Sequence, residues 1–168
     1  DVDGSLSSQF LTGLLMALPM AKEDTTIAVE NAVSKPYLDM TIDLASKFGV
    51  NIQHNDYKEF YVEGDQKYEA TDLVIEGDWS AAAMLLVAGA IAGEITLTNI
   101  SLLSKQADVA ICDALVRAGA LVTSEPNSIT VEQRDLVGFE FDATQCPDLF
   151  PALAALAAAA EGESIIYG

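Results

Sequence analysis

Along the 168-residue chain, unbroken apolar blocks take turns with blocks that alternate apolar and polar. "SAAAMLLVAGAIAG" has no polar face, and "LFPALAALAAAAEG" is nearly as apolar. A helix apolar all round is a buried helix. "EFYVEG" and "SITVEQ" alternate with a period of two, as half-buried hairpin strands do. The pattern predicts helices over about 7–20, 35–48, 79–92, 106–118 and 148–160. It predicts strands over about 25–31, 71–76, 94–99, 138–142 and 163–167, and hairpins over about 50–63 and 120–133.

The order of elements repeats, and residues repeat with it. Ser34-Lys35 recurs as Ser104-Lys105, an offset of 70. Gly49 recurs as Gly119 at the same offset, each where a helix end needs a left-handed residue. Val62-Glu63 recurs as Val131-Glu132, offset 69, and Gly93 as Gly162, also 69. Ser8, Asp78 and Asp148 are each 70 apart, and each begins an apolar helix. The chain therefore reads as two β-α-β-α-β-β units and part of a third. The first is expected to lack its leading strand, which would lie before Asp1. The third stops before its second helix and hairpin. A domain seldom begins and ends inside its repeating unit, so a piece of a longer protein is expected. The fold class is α/β (α+β), with buried helices, outer sheets and units around an incomplete pseudo-threefold axis.

Charge narrows the function classes. With 26 acidic and 8 basic residues the net charge is -18. Nucleic-acid binders need clustered Lys and Arg, and none cluster here. An anionic membrane surface is disfavoured for the same reason. The apolar runs from Leu11 to Ala21 and Ala152 to Ala160 are too short to span a bilayer, and no stretch reads as a signal peptide. Cys112 and Cys146 have no CxxC partner and read as reduced residues of a cytoplasmic protein.

The candidate chemistry sits at helix starts. A helix N-terminus offers unpaired N–H groups and partial positive charge, so phosphate binds there without many lysines. Ser7 and Ser8 add two hydroxyls ahead of the first apolar run. Ser34 stands before the second helix, with Lys35 adding one charge and Pro36 at a favoured first-turn position. The two starts could converge on one phosphate. On residue type alone these serines are more commonly ordinary N-caps, worth about 1 kcal/mol each. Asp148, in "CPDLF", opens another helix, where the dipole favours its ionised form and a general base could stand. Asp78 holds the matching place, and capping is the commoner role for both. His54, the single histidine, reads as a surface residue and Trp79 as packing. Nothing basic adjoins Cys146 to activate it. There is no GxGxxG, P-loop or zinc spacing.

Five stretches occur in order: "GSLSSQFLTGLLMALPMA", "SKPYLDMTIDLASKFGV", "YEATDLVIEGDWSAAAMLLVAGAIAG", "SKQAD" and "CPDLFPALAALAAAAEG". Together they resemble the 5-enolpyruvylshikimate-3-phosphate synthase family (3-phosphoshikimate 1-carboxyvinyltransferases) over the whole chain. The pairing of SSQ with SKPY is specific to that family. The resemblance implies six such units in two lobes. It also implies a transferase of the shikimate pathway, in aromatic amino-acid biosynthesis. That reaction moves the enolpyruvyl group of phosphoenolpyruvate to the 5-hydroxyl of shikimate 3-phosphate, releasing phosphate, with no cofactor and no metal.

Carried over residue by residue, Ser7, Ser8 and Ser34 would hold the shikimate phosphate. Gln9 would lie beside the ring and the phosphoenolpyruvate, and Tyr37 would line the same pocket. Asp148 would bind the shikimate hydroxyls and act as the general base. Glu76-Gly77-Asp78 would be a hinge strand, placing 1–75 in the first lobe and 76–168 in the second. Ala107 stands in "SKQAD" where relatives usually have Gly, with a small backbone effect expected. The family's phosphoenolpyruvate-binding Lys and Arg residues and its Lys-Glu motif are expected outside this chain, which alone is expected to be inactive. Self-association through exposed edges is expected as well, and nucleic-acid and membrane partners are not. Two alternatives remain open: a UDP-N-acetylglucosamine enolpyruvyl transferase, and a non-catalytic acidic binding domain on the same repeat.

Overall fold

A computed structural model describes residues 1–5 and 7–168 and divides them into two compact units, Asp1–Val74 and Ile75–Gly168.

The first unit runs β1 (Val2–Asp3), α1 (Ser8–Ala17, continued by a 3-10 turn, Leu18–Met20), β2 (Thr25–Glu30), α2 (Lys35–Lys47), β3 (Ile52–Asn55) and β4 (Glu59–Val62). Its sheet has the order β1-β2-β4-β3. β1 is parallel to β2, and the other pairs are antiparallel. Alternation decides the faces. In β4, Phe60 and Val62 are buried while Glu59 and Tyr61 are exposed. Against that face pack Leu11 and Leu15 of α1 and Leu38 and Ala45 of α2.

The second unit runs α3 (Trp79–Ala92), β5 (Glu94–Thr98), α4 (Ile111–Arg117), β6 (Leu121–Glu125), β7 (Ser128–Glu132), β8 (Glu140–Asp142), α5 (Phe150–Ala159) and β9 (Ile165–Tyr167). An antiparallel sheet has the order β5-β7-β6, and β8 pairs in parallel with β9. Its core draws on Trp79, Leu86, Ile111, Leu115, Ile129, Leu149, Leu153 and Leu156.

The repeat survives at the level of register. Ile27 faces Phe60 across β2 and β4, and Leu97 faces Ile129 across β5 and β7. Ile52 faces Val62, and Val122 faces Val131. Gly49 and Gly119 are both left-handed, at φ 82° and 90°. Each is followed by a residue whose N–H reaches back 3.0 Å into the helix: Val50 to the Ala45 carbonyl, Ala120 to that of Leu115. One backbone bond also closes each crossover. The N–H of Gly4 reaches the carbonyl of Glu30 at 2.8 Å, that of Gly77 reaches Asn99 at 2.6 Å, and that of Ala143 reaches Tyr167 at 2.7 Å.

Four expectations change. The first unit's leading strand is not wholly upstream, because Val2 and Asp3 pair with Val29 and Glu30 as β1. The strand expected over 71–76 does not form. A strand needs a neighbour to share its ladder, yet Val74 and Ile75 are 88% and 70% exposed. Single bonds stand in for that ladder: Gly77 N–H to the Asn99 carbonyl, and the Asn99 side-chain amide to the Ile75 carbonyl at 3.1 Å. The helices expected from 106 and 148 each start as a 3-10 turn, at Ala107–Ala110 and Pro147–Leu149. Finally, α3 is not enclosed all round: it buries Trp79, Ala83, Leu86 and Ala90, while Met84 and Leu85 are half exposed.

Candidate functional site

Two parallel neighbouring strands place two helix starts together. β1 and β2 run side by side, α1 leaves the C-terminal end of β1, and α2 leaves that of β2. The approach segments are bonded as well: the Val33 N–H donates to the Gly4 carbonyl at 3.3 Å. Deeper in, the hydroxyls of Thr12 on α1 and Thr41 on α2 lie 3.2 Å apart. Ser7, Ser8, Gln9, Ser34 and Tyr37 thus share one end of one unit. Ligands in sheets with parallel strands gather at such C-terminal ends.

The serines divide by role. Ser7 is the N-cap of α1, and its hydroxyl oxygen accepts the Gln9 N–H at 3.1 Å. Ser34 occupies the N-cap position of α2, but its side chain makes no capping bond. Its backbone is left-handed, φ 51°, which turns the hydroxyl away from the geometry a cap requires. A non-glycine residue held at positive φ carries strain, and such strain collects at functional positions. Ser8 is the first residue of α1 and is half-buried, and Gln9 after it is exposed. Tyr37 is half-buried in the first turn of α2, with its N–H on the Ser34 carbonyl at 3.1 Å and its carbonyl accepting the Thr41 hydroxyl at 2.8 Å.

Asp148 belongs to the second unit. It lies exposed in the 3-10 turn that runs from Cys146 into α5, after the parallel strand β8. No side-chain capping bond forms at that turn. Asp78, its counterpart by offset, is an ordinary cap: its carboxylate accepts the N–H groups of Ser80 at 3.0 Å and Ala81 at 3.3 Å. The shared spacing therefore does not carry a shared capping role.

The weaker candidates settle as packing or as surface residues. Trp79 is fully buried. Burial pushes the Cys112 thiol up to about 11, and burial with the nearby Asp108 and Asp142 carboxylates does the same for Cys146. His54 is exposed on β3, with its ring 4.5 Å from that of Tyr57. Ala107 opens its 3-10 turn without positive φ, so the missing glycine costs the backbone little.

Three groups escaped the pattern. Gln106 accepts the Trp79 N–H at 2.8 Å and donates to the Gly77 carbonyl at 2.9 Å, fixing the entry to α3. Ser80 donates to the fully buried Asp108. Tyr57 donates to Asp39 and lies under Lys35. Pattern alone had no way to find these, since each joins residues far apart in the chain or sits in a turn read only as polar. Among the described residues no three His, Cys, Asp or Glu cluster as a metal site, and no helix is long and apolar enough to cross a membrane.

Comparison with known proteins bears on this end of the fold. The family model of EPSP synthase (3-phosphoshikimate 1-carboxyvinyltransferase) matches residues 1–168. A 3-phosphoshikimate 1-carboxyvinyltransferase from Clostridium perfringens strain SM101 is 42% identical over 170 residues, covering 99% of this chain and 40% of the relative. One from Aeromonas salmonicida is 45% identical over 167 residues, covering 98% and 39%. An EPSP synthase structure from Acinetobacter baumannii aligns with a TM-score of 0.78 at 24% identity, over 98% of this chain and 39% of that one. The enolpyruvyl transferase NikO from Streptomyces tendae aligns at 0.71 and 19%, covering 98% of this chain and 43% of its own. The two solved structures bear on the fold alone. The chain spans about 40% of the length of the curated relatives it matches. With the whole chain matched and the repeat reproduced, it belongs to the EPSP synthase (3-phosphoshikimate 1-carboxyvinyltransferase) family.

Proposed function

We propose that this chain carries the shikimate 3-phosphate half-site of a 3-phosphoshikimate 1-carboxyvinyltransferase. The parent reaction moves the enolpyruvyl group of phosphoenolpyruvate to the 5-hydroxyl of shikimate 3-phosphate and releases phosphate. Ser7, Ser8 and Ser34 donate to the phosphate oxygens, supported by the N–H groups and dipoles of α1 and α2. Gln9 lies beside the ring and the phosphoenolpyruvate, and Tyr37 lines the pocket. Asp148 takes the proton of the 5-hydroxyl as general base. The units on either side of Glu76-Gly77-Asp78 contribute to different lobes, in a cytoplasmic enzyme.

The observation that carries the reading is Ser34: a left-handed serine at a helix start whose hydroxyl caps nothing. A serine kept only for the helix would cap it. The test is a titration of the chain with shikimate 3-phosphate, followed through backbone amide shifts. Saturable shifts at Ser7, Ser8, Ser34 and Asp148, lost in Ser7→Ala/Ser8→Ala/Ser34→Ala, are expected. A folded chain that shows none would overturn the reading.

Eight basic residues against 26 acidic ones supply little field for two anionic substrates. The chain alone is therefore inactive, and turnover by the pure polypeptide would refute this. The exposed apolar side chains of Phe10, Met84 and Leu85 favour self-association. A sedimentation coefficient independent of concentration would count against it.

A further inference from the structure

Tyr57 sits where the backbone favours glycine. Asp56, Tyr57 and Lys58 join β3 to β4, and the tight turn from Asn55 to Lys58 is closed by the Lys58 N–H on the Asn55 carbonyl at 2.9 Å. Both central residues are left-handed, Asp56 at φ 49° and Tyr57 at φ 57°. Such a turn prefers glycine at its second central position, and a bulky residue there stays only where its surroundings hold it.

The surroundings are the first two turns of α2. The Tyr57 hydroxyl donates to both carboxylate oxygens of Asp39, at 2.8 and 2.9 Å. That bond raises the phenol above its usual range, so the hydroxyl keeps its proton. The Tyr57 N–H donates to His54 Nδ1 at 3.3 Å. The ammonium of Lys35 lies 5.0 Å from the centre of the Tyr57 ring.

Lys35 and Asp39 are four apart on one helix, the spacing at which a lysine and an aspartate ordinarily pair. Among the described residues Lys35 makes no ion pair. Tyr57 stands between them instead, giving its hydroxyl to the carboxylate and its ring face to the ammonium. The difference is chemical. A carboxylate partner cancels the lysine charge, whereas an aromatic face stabilises the cation and leaves its charge in place.

We infer that Tyr57 is a positioning residue: it keeps the Lys35 ammonium out of a neutralising pair with Asp39, leaving it available to a phosphate ester at the start of α2. The inference rests on the phosphate reading of that helix start.

The test is a double-mutant cycle in the whole chain, titrated with shikimate 3-phosphate and followed at the Ser34 and Lys35 amides. Tyr57→Phe keeps the ring and frees Asp39 to reach Lys35, so Kd rises about threefold, the scale of one charge at a helix end. Asp39→Asn removes the competing carboxylate. It is expected to tighten binding more in the Tyr57→Phe background than in the wild type. A purely structural tyrosine gives equal gains in both, and equal gains overturn the inference. So does a Tyr57→Phe chain that binds as the wild type does. If Ser34→Ala weakens binding while Lys35→Met does not, the phosphate reading stands and the inference alone falls. If the wild-type chain shows no saturable shift, the reading falls and takes the inference with it. Because Asp39→Asn changes a half-buried carboxylate to its isostere, its comparison with wild type holds even if Tyr57→Phe loosens the turn.

Discussion

The N–H of Val33 donates to the carbonyl of Gly4 across 3.3 Å, joining the chain that enters α2 to the chain that enters α1. Gly4 is also bonded to Glu30, at the end of the strand that α1 crosses to reach. Two helix starts 27 residues apart in sequence, Ser7 and Ser34, are thus tied to one strand end. The candidate phosphate site is built on backbone before any hydroxyl is considered.

Stability and binding separate at these serines. Ser7→Ala removes the α1 cap and lowers unfolding stability by about 1 kcal/mol. Ser34→Gly relieves a left-handed backbone at a position that makes no cap, raising stability by about 0.5–1 kcal/mol. Both weaken shikimate 3-phosphate binding. Urea unfolding beside the titration reads the two effects independently. A Ser34→Gly chain that is less stable than the wild type would contradict the strain argument.

Asp78 and Asp148 answer to opposite tests. Asp78→Ala leaves the Ser80 and Ala81 N–H groups without their partner and costs about 1 kcal/mol. Asp148→Ala removes an exposed carboxylate that caps no helix, so stability changes by less than about 0.5 kcal/mol. Thermal unfolding of the two variants checks this. Equal losses would mean that Asp148 is held for the fold.

Acid sensitivity traces to a surface carboxylate at the start of β2. Asp24 accepts the Gly64 N–H and the Tyr61 hydroxyl, both at 3.0 Å, and these bonds hold its carboxyl below the usual range, the Gly64 bond most. A carboxyl lowered in the folded state stabilises above its ordinary pKa of about 4, and that contribution fades as pH falls through the lowered value. Asp24→Asn is expected to flatten the acid side of the stability profile below about pH 4 and to leave its neutral side sloped as before. A profile unchanged below pH 4 would remove Asp24 from the account.

The two cysteines are protected by burial. With both thiols up at about 11, neither forms appreciable thiolate at neutral pH. Iodoacetamide at pH 8 is expected to label neither in the folded chain and both after unfolding. Fast labelling of Cys146 in the native state would show that the turn before Asp148 opens.

Much of this was legible in the order of residues, and the reasons for the rest are physical. Apolar periodicity and the residues at helix starts and ends located the five helices of the described residues. The offset of 70 found the repeat, and registers such as Ile27–Phe60 and Leu97–Ile129 reproduce it. Residues 71–76 carry a strand-like composition, but a strand also needs a partner, which composition does not record. β1 was missed because two residues are too few to show alternation. At the site, type and spacing gave Asp78 and Asp148 the same reading, and only the capping bonds separate them. Tyr57 lay hidden in a turn whose composition reads as merely polar. Its importance comes from Asp39 and Lys35, which are neighbours in space and not in sequence.

The bond that closes each crossover is made by backbone alone. Gly4, Gly77 and Ala143 are its donors, and each position is small. A β-carbon on Gly77 would come within 2.7 Å of Ile100, and one on Gly4 within 3.0 Å of Ala32. No side chain makes this contact, so divergence elsewhere has little power to erase it as long as the donor positions stay small. Descendants of such a repeat are free to exchange most of their surface and much of their core while inheriting the same joints. A likeness in shape then outlasts the likeness in letters, as the alignment at 24% identity illustrates.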